Sequence, residues 1–374
     1  MRRRSALFPR FGLEHSDSRL PTRAQLQPLL LTPPTQSRRV GVQDPRLLNT
    51  QEWQPAVSAK TSIFDLDLAV GRWGRPYVAA RLRMQAEYAA RVFSQTNRRF
   101  LVENAEPIHT LVRWGFRLFG CYRRAHRNFL DVRVVHNRVP LRGLPASFDG
   151  FTICQLTDLH IDLDPLLTGV IRERLAECHY DLCVLTGDYR DQTHGPHAEV
   201  MTQMAALRPA IQSPVHAILG NHDFLEMVAP LEALGYPMLV NECAVVEAGN
   251  STLHLAGIDD VNTYMLDNLD RATQAVPSDG LTILLSHSPN VYKKAAAYDM
   301  SLVLAGHTHA GQICLPGGVV VMKVDPCPRR MLHGSWTYRG VRGYTSAGTG
   351  SCAVPLRWFS RPEIVLHELV AEVP

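Results

Sequence analysis

The sequence predicts a mixed α/β (α+β) domain, a largely buried sheet with helices on its faces, preceded by a helical extension. Three observations predict it. Short apolar runs alternate with stretches of helical spacing from about residue 130 onward. Five of those runs end in a polar cluster rich in Asp, His and Gly. The last runs, 319–322, 344–347 and 364–369, follow one another without full helices between them.

Residues 1–74 read as a loop-like or disordered basic arm, because Pro9, Pro21, Pro28, Pro33, Pro34, Pro45 and Pro55 interrupt any periodicity. Residues 75–129 read as an amphipathic helical extension. Its first helix spans 77–100, with Pro76 suited to the opening turn. Its second spans 107–127, where Ile108, Leu111, Val112, Gly115, Phe116, Leu118, Phe119 and Tyr122 recur at helical spacing and Arg113, Arg117 and Arg124 fall opposite. A basic helix of this kind with Trp and Phe fits a membrane interface, and it equally fits packing on the next domain. Residues 130–374 form the domain proper. Strands are predicted at 131–139, 151–156, 182–186, 215–219, 252–257, 281–286 and 301–305, with helices at 166–178, 201–207, 226–234 and 290–297.

Charge divides along the same boundary. The 374 residues carry a net charge of +4, but residues 1–145 hold 25 basic and 10 acidic side chains and the remainder 14 and 25. An apolar fraction of 45% excludes wholesale disorder. No stretch approaches the ~18 apolar residues of a membrane span. No apolar run follows Arg2, Arg3 and Arg4, so they do not read as a secretory signal. Eight cysteines form no CxxC pair, and Cys154, Cys178 and Cys183 read as reduced thiols in the interior, so a cytoplasmic location is expected.

The chemistry lies in the polar clusters: Asp-Leu-His at 158–160, Gly-Asp at 187–188, Gly-Asn-His-Asp at 220–223, Ser-His at 286–287 and Gly-His-Thr-His at 306–309. Ligands of open α/β sheets bind outside the strand ends, so five such loops can converge. Asp158 and Asp188 offer carboxylates, Asn221 an amide oxygen, and His160, His287, His307 and His309 imidazoles. That mixed set suits Mn, Fe or Zn better than Ca. Seven donors exceed one tetrahedral ion and match two ions sharing a carboxylate, which at ~3.5–4 Å can clamp a phosphate and activate a water. An Asp and a His one residue apart, in an extended strand end, would point to one side, and His307 and His309 repeat the pattern. Gly187, Gly220 and Gly306 stand where a close backbone approach is needed. Any one of these clusters is a weak signal; all five, in order, each after an apolar run, are not.

This order of motifs resembles the calcineurin-like metallophosphoesterase superfamily, over roughly residues 130–374. The resemblance implies a β-sandwich flanked by helices, with a di-metal site at the strand ends. It implies that Asp158, His160 and His309 hold one ion, that Asp188 bridges, and that Asn221, His287 and His307 hold the second. It further implies that His222 serves the phosphate as an acid or transition-state donor, with Asp223 orienting it. GHTHAGQICLP at 306–316, GYTSAGTG at 343–350 and PLRWFSRPEIVLHEL at 355–369 are similar to the phosphodiesterase subgroup around YkuE and YaeI. That subgroup includes the UDP-2,3-diacylglucosamine pyrophosphatase of the LpxG type, which acts in lipid A synthesis. Ala310 and Thr349 depart from it, standing where many relatives have glycine and an apolar residue.

Arg190, two residues past Asp188, is a candidate substrate clamp, because a guanidinium matches phosphate oxygens bidentately. His194 and His197 read first as solvated loop residues, with reach to the substrate as the alternative, His254 as a strand histidine, Asp259 and Asp260 as a capping turn. Manganese is the favoured cofactor, as two ions. The substrate is a phosphate ester, lipid-linked if the basic N-terminal third holds the enzyme on the inner face of an anionic membrane. A soluble phosphodiesterase acting on a small or nucleic-acid substrate is the alternative, although the arm shows no recognition module for nucleic acid. A metal-bound scaffold without activity is a third reading.

Overall fold

The short apolar runs become buried strands, because a run without polar alternation has both faces to cover. The computed structural model describes residues 39–40, 64–94 and 106–372. Its strands are β1 (Arg39–Val40), β2 (Arg133–Leu141), β3 (Thr152–Leu156), β4 (Leu182–Leu185), β5 (Val215–Ala217), β6 (Glu242–Ala248), β7 (Ser251–Gly257), β8 (Thr282–Leu285), β9 (Leu302–Ala305), β10 (Gly334–Tyr338), β11 (Val341–Thr345) and β12 (Glu363–Ala371). Its helices are α1 (Leu66–Trp73), α2 (Arg75–Ser94), α3 (Glu106–Leu118), α4 (Tyr122–Leu130), α5 (Leu167–Ala176), α6 (Ala198–Leu207), α7 (Val228–Ala233), α8 (Leu269–Thr273) and α9 (Tyr292–Ala297).

Two sheets form a sandwich. One has the order β1-β6-β7-β8-β9-β11-β10 and the other β2-β12-β3-β4-β5. Side chains alternate along each strand and sort into separate cores. Ile153 and Val184 face inward to meet Ile283, Leu285, Leu302 and Leu304 of the opposite sheet. Their neighbours Cys154, Cys183 and Leu185 face outward onto α5 and α6 through Ile171, Leu175, Met204 and Leu207. On the far side, Leu284 and Val303 pack under α8 and α9 through Ala272 and Ala295. The result is helix, sheet, sheet, helix. Strands β3, β4 and β5 run parallel in one sheet, and β7, β8, β9 and β11 in the other. The loops after β3, β4, β5, β8 and β9 carry the polar clusters.

Several elements differ from expectation. Strands β6 and β10 were not anticipated, and residues 319–322 do not form a strand; Val319, Val321 and Met322 are exposed. The helix expected over 107–127 breaks into α3 and α4 around Gly120, whose φ of 67° no continuing helix adopts. Helix α1 lies within the stretch read as arm, capped by Asp65, which accepts from the Leu68 N–H at 2.9 Å. The rest of that arm, apart from Arg39 and Val40, lies outside the described residues, as do residues 95–105.

The extension packs on the domain. Ala69, Trp73, Val78 and Phe129 join the core under the five-stranded sheet. Arg72 of α1 grips Glu232 at 3.0 Å and Glu242 at 2.7 Å. The inner side of α3, Val112 and Phe116, packs with Tyr122, Ile313 and Trp358 against Val354 and Leu356. Its outer side stays exposed: Leu111 by 71%, Trp114 by 62% and Leu118 by 81%.

Candidate metal centre

Asp158, His160, Asp188, His307 and His309 all carry positive φ, from 39° to 68°. Non-glycine residues rarely adopt this left-handed conformation, and it clusters at functional sites. The strands have ended by these positions, so a turned loop, and not the extended strand end expected from the spacing, aims each side chain. Close backbone approach explains the glycines. A Cβ on Gly220 would strike the Asp188 carboxylate, and one on Gly306 would strike Asp158 and Thr157. Ala310 holds φ 48°, where a glycine is the easier residue. At the other departure, the Thr349 hydroxyl donates to the Glu363 carbonyl at 2.9 Å.

The loops bring the predicted donors into two groups, Asp158 with His160 and His309, and Asp188 with His287 and His307, the ligand atoms of each group within 4.8 Å of one another. His160 Nε2 and His309 Nε2 face each other at 3.3 Å, and His287 Nε2 and His307 Nδ1 at 3.2 Å. Asp188 reaches both groups, with Oδ2 3.1 Å from His287 Nε2 and 3.8 Å from His160 Nε2. His160 Nδ1 lies 2.9 Å from the Arg190 carbonyl and His287 Nδ1 2.8 Å from the Thr186 carbonyl. A carbonyl only accepts, so each Nδ1 carries the proton and each Nε2 points into the site; at His160 that nitrogen is a lone pair, whereas at His287 the Asp188 carboxylate holds a second proton, which a cation would displace.

Two of the histidines are held neutral, while at His287 burial is outweighed by Asp188 and Asp158, which raise its pKa well above the ordinary value. Burial, with His222 beside it, lowers the His160 pKa to about 3, and burial with His160 and Arg357 holds His309 well below its ordinary value. Neutral imidazoles are what a metal requires. Burial opposes the Asp188 charge, but His287, His222 and His160 outweigh it and hold its pKa well below the carboxylate range. Asn221 is buried, and its Oδ1 has no hydrogen-bond partner among the described residues. A buried amide oxygen without a donor is a vacancy that a cation satisfies. The donor set thus fits two divalent ions.

His222 sits beside the groups without joining them. Its Nε2 is 3.8 Å from Asp188 Oδ2, and its Nδ1 contacts the Asp191 carbonyl at 2.5 Å. Asp223 was expected to orient that ring. Its carboxylate instead accepts from the backbone N–H groups of Asp188 at 2.7 Å, Gly220 at 2.8 Å and Tyr189 at 3.0 Å. It ties two metal loops together. Arg190 is buried, with Nη2 donating to the carbonyls of residues 194–196 and its guanidinium over Phe224; Nε and Nη1 have no partner among the described residues. Burial and the Arg190 charge lower the pKa of His194 and His197. His254 is buried on β7, away from both groups. Asp260 caps its turn, accepting from the N–H groups of Asn262, Thr263 and Tyr264, whereas Asp259 receives Arg81. Cys154 and Cys183 are buried and Cys178 partly so, all as free thiols.

Comparison with known proteins settles the family. The calcineurin-like phosphoesterase family model matches residues 151–311. The uncharacterized metallophosphoesterase YkuE of Bacillus subtilis is 31% identical over 242 residues, covering 60% of this chain and 81% of its own. This chain belongs to the calcineurin-like metallophosphoesterase family. YkoQ of the same bacterium, also an uncharacterized metallophosphoesterase, is 28% identical over 66% of this chain and 93% of its own. A zebrafish transmembrane protein with a metallophosphoesterase domain is 29% identical over 62% of this chain and 56% of its own. As a calcineurin-like metallophosphoesterase, the chain is a hydrolase of phosphate esters that uses divalent metal ions.

Three supporting groups escaped the sequence reading. Arg357, fully buried, donates to the carbonyls of His309 at 2.6 Å and Ala347 at 2.7 Å, while burial lowers its pKa to about 10. Asp191 holds the His222 ring by its carbonyl. Arg81 of α2 reaches the Asp223 carbonyl at 3.0 Å. Arg357, in the run 355–369, and Asp191, in Gly-Asp-Tyr-Arg-Asp at 187–191, lay in stretches that resemble the subgroup, but nothing there marked their roles.

Proposed function

We propose that this enzyme cleaves a phosphodiester or pyrophosphate bond in a lipid-linked substrate at a membrane surface, with UDP-2,3-diacylglucosamine of lipid A synthesis as the specific candidate. The observation that carries this reading is the exposed side of α3. Leu111, Trp114 and Leu118 recur at three- and four-residue spacing on it, and Phe119 continues it, 79% exposed. Aromatic and aliphatic side chains on a basic helix suit the headgroup region of a bilayer.

Helix α3 adjoins the metal loops. Arg113 donates to the Ala353 carbonyl at 3.3 Å, the Ala353 N–H donates to Asp191 Oδ1 at 2.6 Å, and Asp191 in turn holds His222. Phe116 packs edge-on against Trp358 at 5.6 Å, and the Trp358 N–H donates to the Gln312 carbonyl, three residues past His309. A headgroup phosphate presented to the metals would leave its acyl chains on the α3 side. No helix among the described residues is long and apolar enough to cross a membrane. Contact with an anionic inner leaflet would therefore run through this face and the basic extension.

In this reading Asp158, His160 and His309 hold one ion, Asn221, His287 and His307 the other, and Asp188 both. Two ions held there, manganese in this reading, would supply positive charge against the phosphoryl oxygens and would acidify a water. His222, fixed through Nδ1, presents Nε2 and in its protonated form donates to the leaving oxygen. Arg190, with Nε and Nη1 free, takes the non-transferred phosphate. Purified protein with Mn is expected to release UMP from UDP-2,3-diacylglucosamine in mixed micelles or anionic vesicles. No release where a generic phosphodiester is cleaved, or equal rates with and without a lipid surface, favours the soluble phosphodiesterase.

A further inference from the structure

Helix α2 lies ahead of the residues that match the family, yet it grips the loop that carries Asn221 and His222. Arg81 is fully buried and makes three directed contacts: Nε to Asp259 Oδ2 at 3.0 Å, Nη1 to Gln85 Oε1 at 2.9 Å, and Nη2 to the Asp223 carbonyl at 3.0 Å. Its guanidinium lies 3.4 Å from the Tyr264 ring centroid, and the Tyr77 hydroxyl shares Asp259 at 2.6 Å. One turn on, Gln85 Oε1 accepts from the Leu225 N–H at 2.9 Å, and Gln85 Nε2 donates to Glu226 Oε2 at 2.8 Å. The stretch 223–226 is thus held at a carbonyl, an N–H and a side chain by two residues of one helix face, spaced four apart.

Asp223 is fastened at both ends. Its carboxylate binds the backbone of the Asp188 loop, and its carbonyl binds Arg81. Asn221 and His222 precede it directly and have no helix or strand of their own to fix them. We propose that Arg81 and Gln85 are positioning residues for this loop: they set the place of the Asn221 amide oxygen, and with it the affinity of the second metal ion, and the direction of His222 Nε2. The extension is then a working part of the catalytic domain. This inference rests on the two-metal reading, in which Asn221 is a ligand.

The test compares the full chain with its Gln85→Leu and Arg81→Met variants. Gln85→Leu keeps the buried Arg81–Asp259 pair and takes one hydrogen bond from the part-buried Glu226, so it is the variant to read if Arg81→Met, which leaves Asp259 only the Tyr77 hydroxyl, does not fold. The first readout is calorimetric titration of metal-stripped protein with Mn, which needs no turnover. The second ion is expected to bind about 10-fold to 100-fold more weakly in Gln85→Leu, the usual effect of removing a group that orients a metal ligand. The second readout is hydrolysis of a generic phosphodiester at saturating Mn, well below the melting temperature. There kcat is expected to fall about 10-fold or more while KM holds within about twofold. Arg83→Ala, which breaks only an exposed pair with Glu87 on the same helix, serves as the control without effect. A Gln85→Leu protein that melts earlier but keeps wild-type Mn affinity and kcat overturns the proposal and leaves α2 a structural support. Wild-type protein that binds only one Mn defeats the two-metal reading itself, a different result.

Discussion

In the proposed function His222 separates holding metal from doing chemistry. It stands edge-on to His160, ring centroids 4.9 Å apart, yet belongs to neither ligand group. A His222→Ala protein is therefore expected to retain its full metal content and lose about 10²–10⁴-fold in kcat, the range for a general acid. Elemental analysis beside steady-state kinetics checks it: metal lost together with activity makes His222 a ligand, and an unchanged kcat makes the site a scaffold. The donors that the loops bring together were legible because their types are rare together and sit at the ends of apolar runs. Asp223 was legible as important but not in its role, since a carboxylate beside a histidine gives no sign that three backbone N–H groups will claim it. Arg81, Asp191 and Arg357 act across 31 to 142 residues of chain, through carbonyls, and no local pattern records such contacts.

Elements follow from local rules where burial agrees with propensity. Strands β4, β8 and β9 are buried at every position and were read correctly from their apolar runs. Strand β6, with Glu242 and Glu247 on half-exposed positions, lacks such a run, and β10 opens on Gly and Ser. The opposite error occurred at 319–322, where β-branched residues suggest a strand but, among the described residues, pairing stops at a single bridge between Val319 and Leu315. Helix α1 hid in a Pro-rich context, although Asp65 is a good N-cap. Asp65→Ala is expected to lower stability by about 0.5–2 kcal/mol, while Asp67→Ala, in the exposed first turn, costs less. Urea unfolding measures both, and equal small losses would remove the cap from the account.

The whole molecule carries its charge unevenly, and its core holds histidines that resist protonation. Burial lowers the His216 pKa to about 4 and the His367 pKa to about 3, against an ordinary value near 6.5. Below pH 6.5 the unfolded chain takes up protons that these folded sites refuse, so stability falls as pH drops from about 6.5 toward 4. Asp223, raised by burial to about 6, opposes this within the same window, as do Asp162 and Asp191, also raised by burial, nearer their own titration, so they offset part of the histidine contribution. In metal-loaded protein, His216→Leu is expected to flatten the dependence of unfolding free energy on pH between about 6.5 and 4. An unchanged slope would show that His216 protonates in the folded state. The basic excess of residues 1–145 lies ahead of the family domain, and its described part packs on that domain with one apolar face left open. The loops after β3, β4, β5, β8 and β9 bring together a donor set that fits two divalent ions. The most direct test is to strip the full chain of metal and titrate Mn back while following phosphodiester hydrolysis and bound metal together. No turnover is expected in the stripped chain, and activity is expected to plateau at two ions per chain. Turnover without metal, or none with both ions bound, contradicts the two-metal reading.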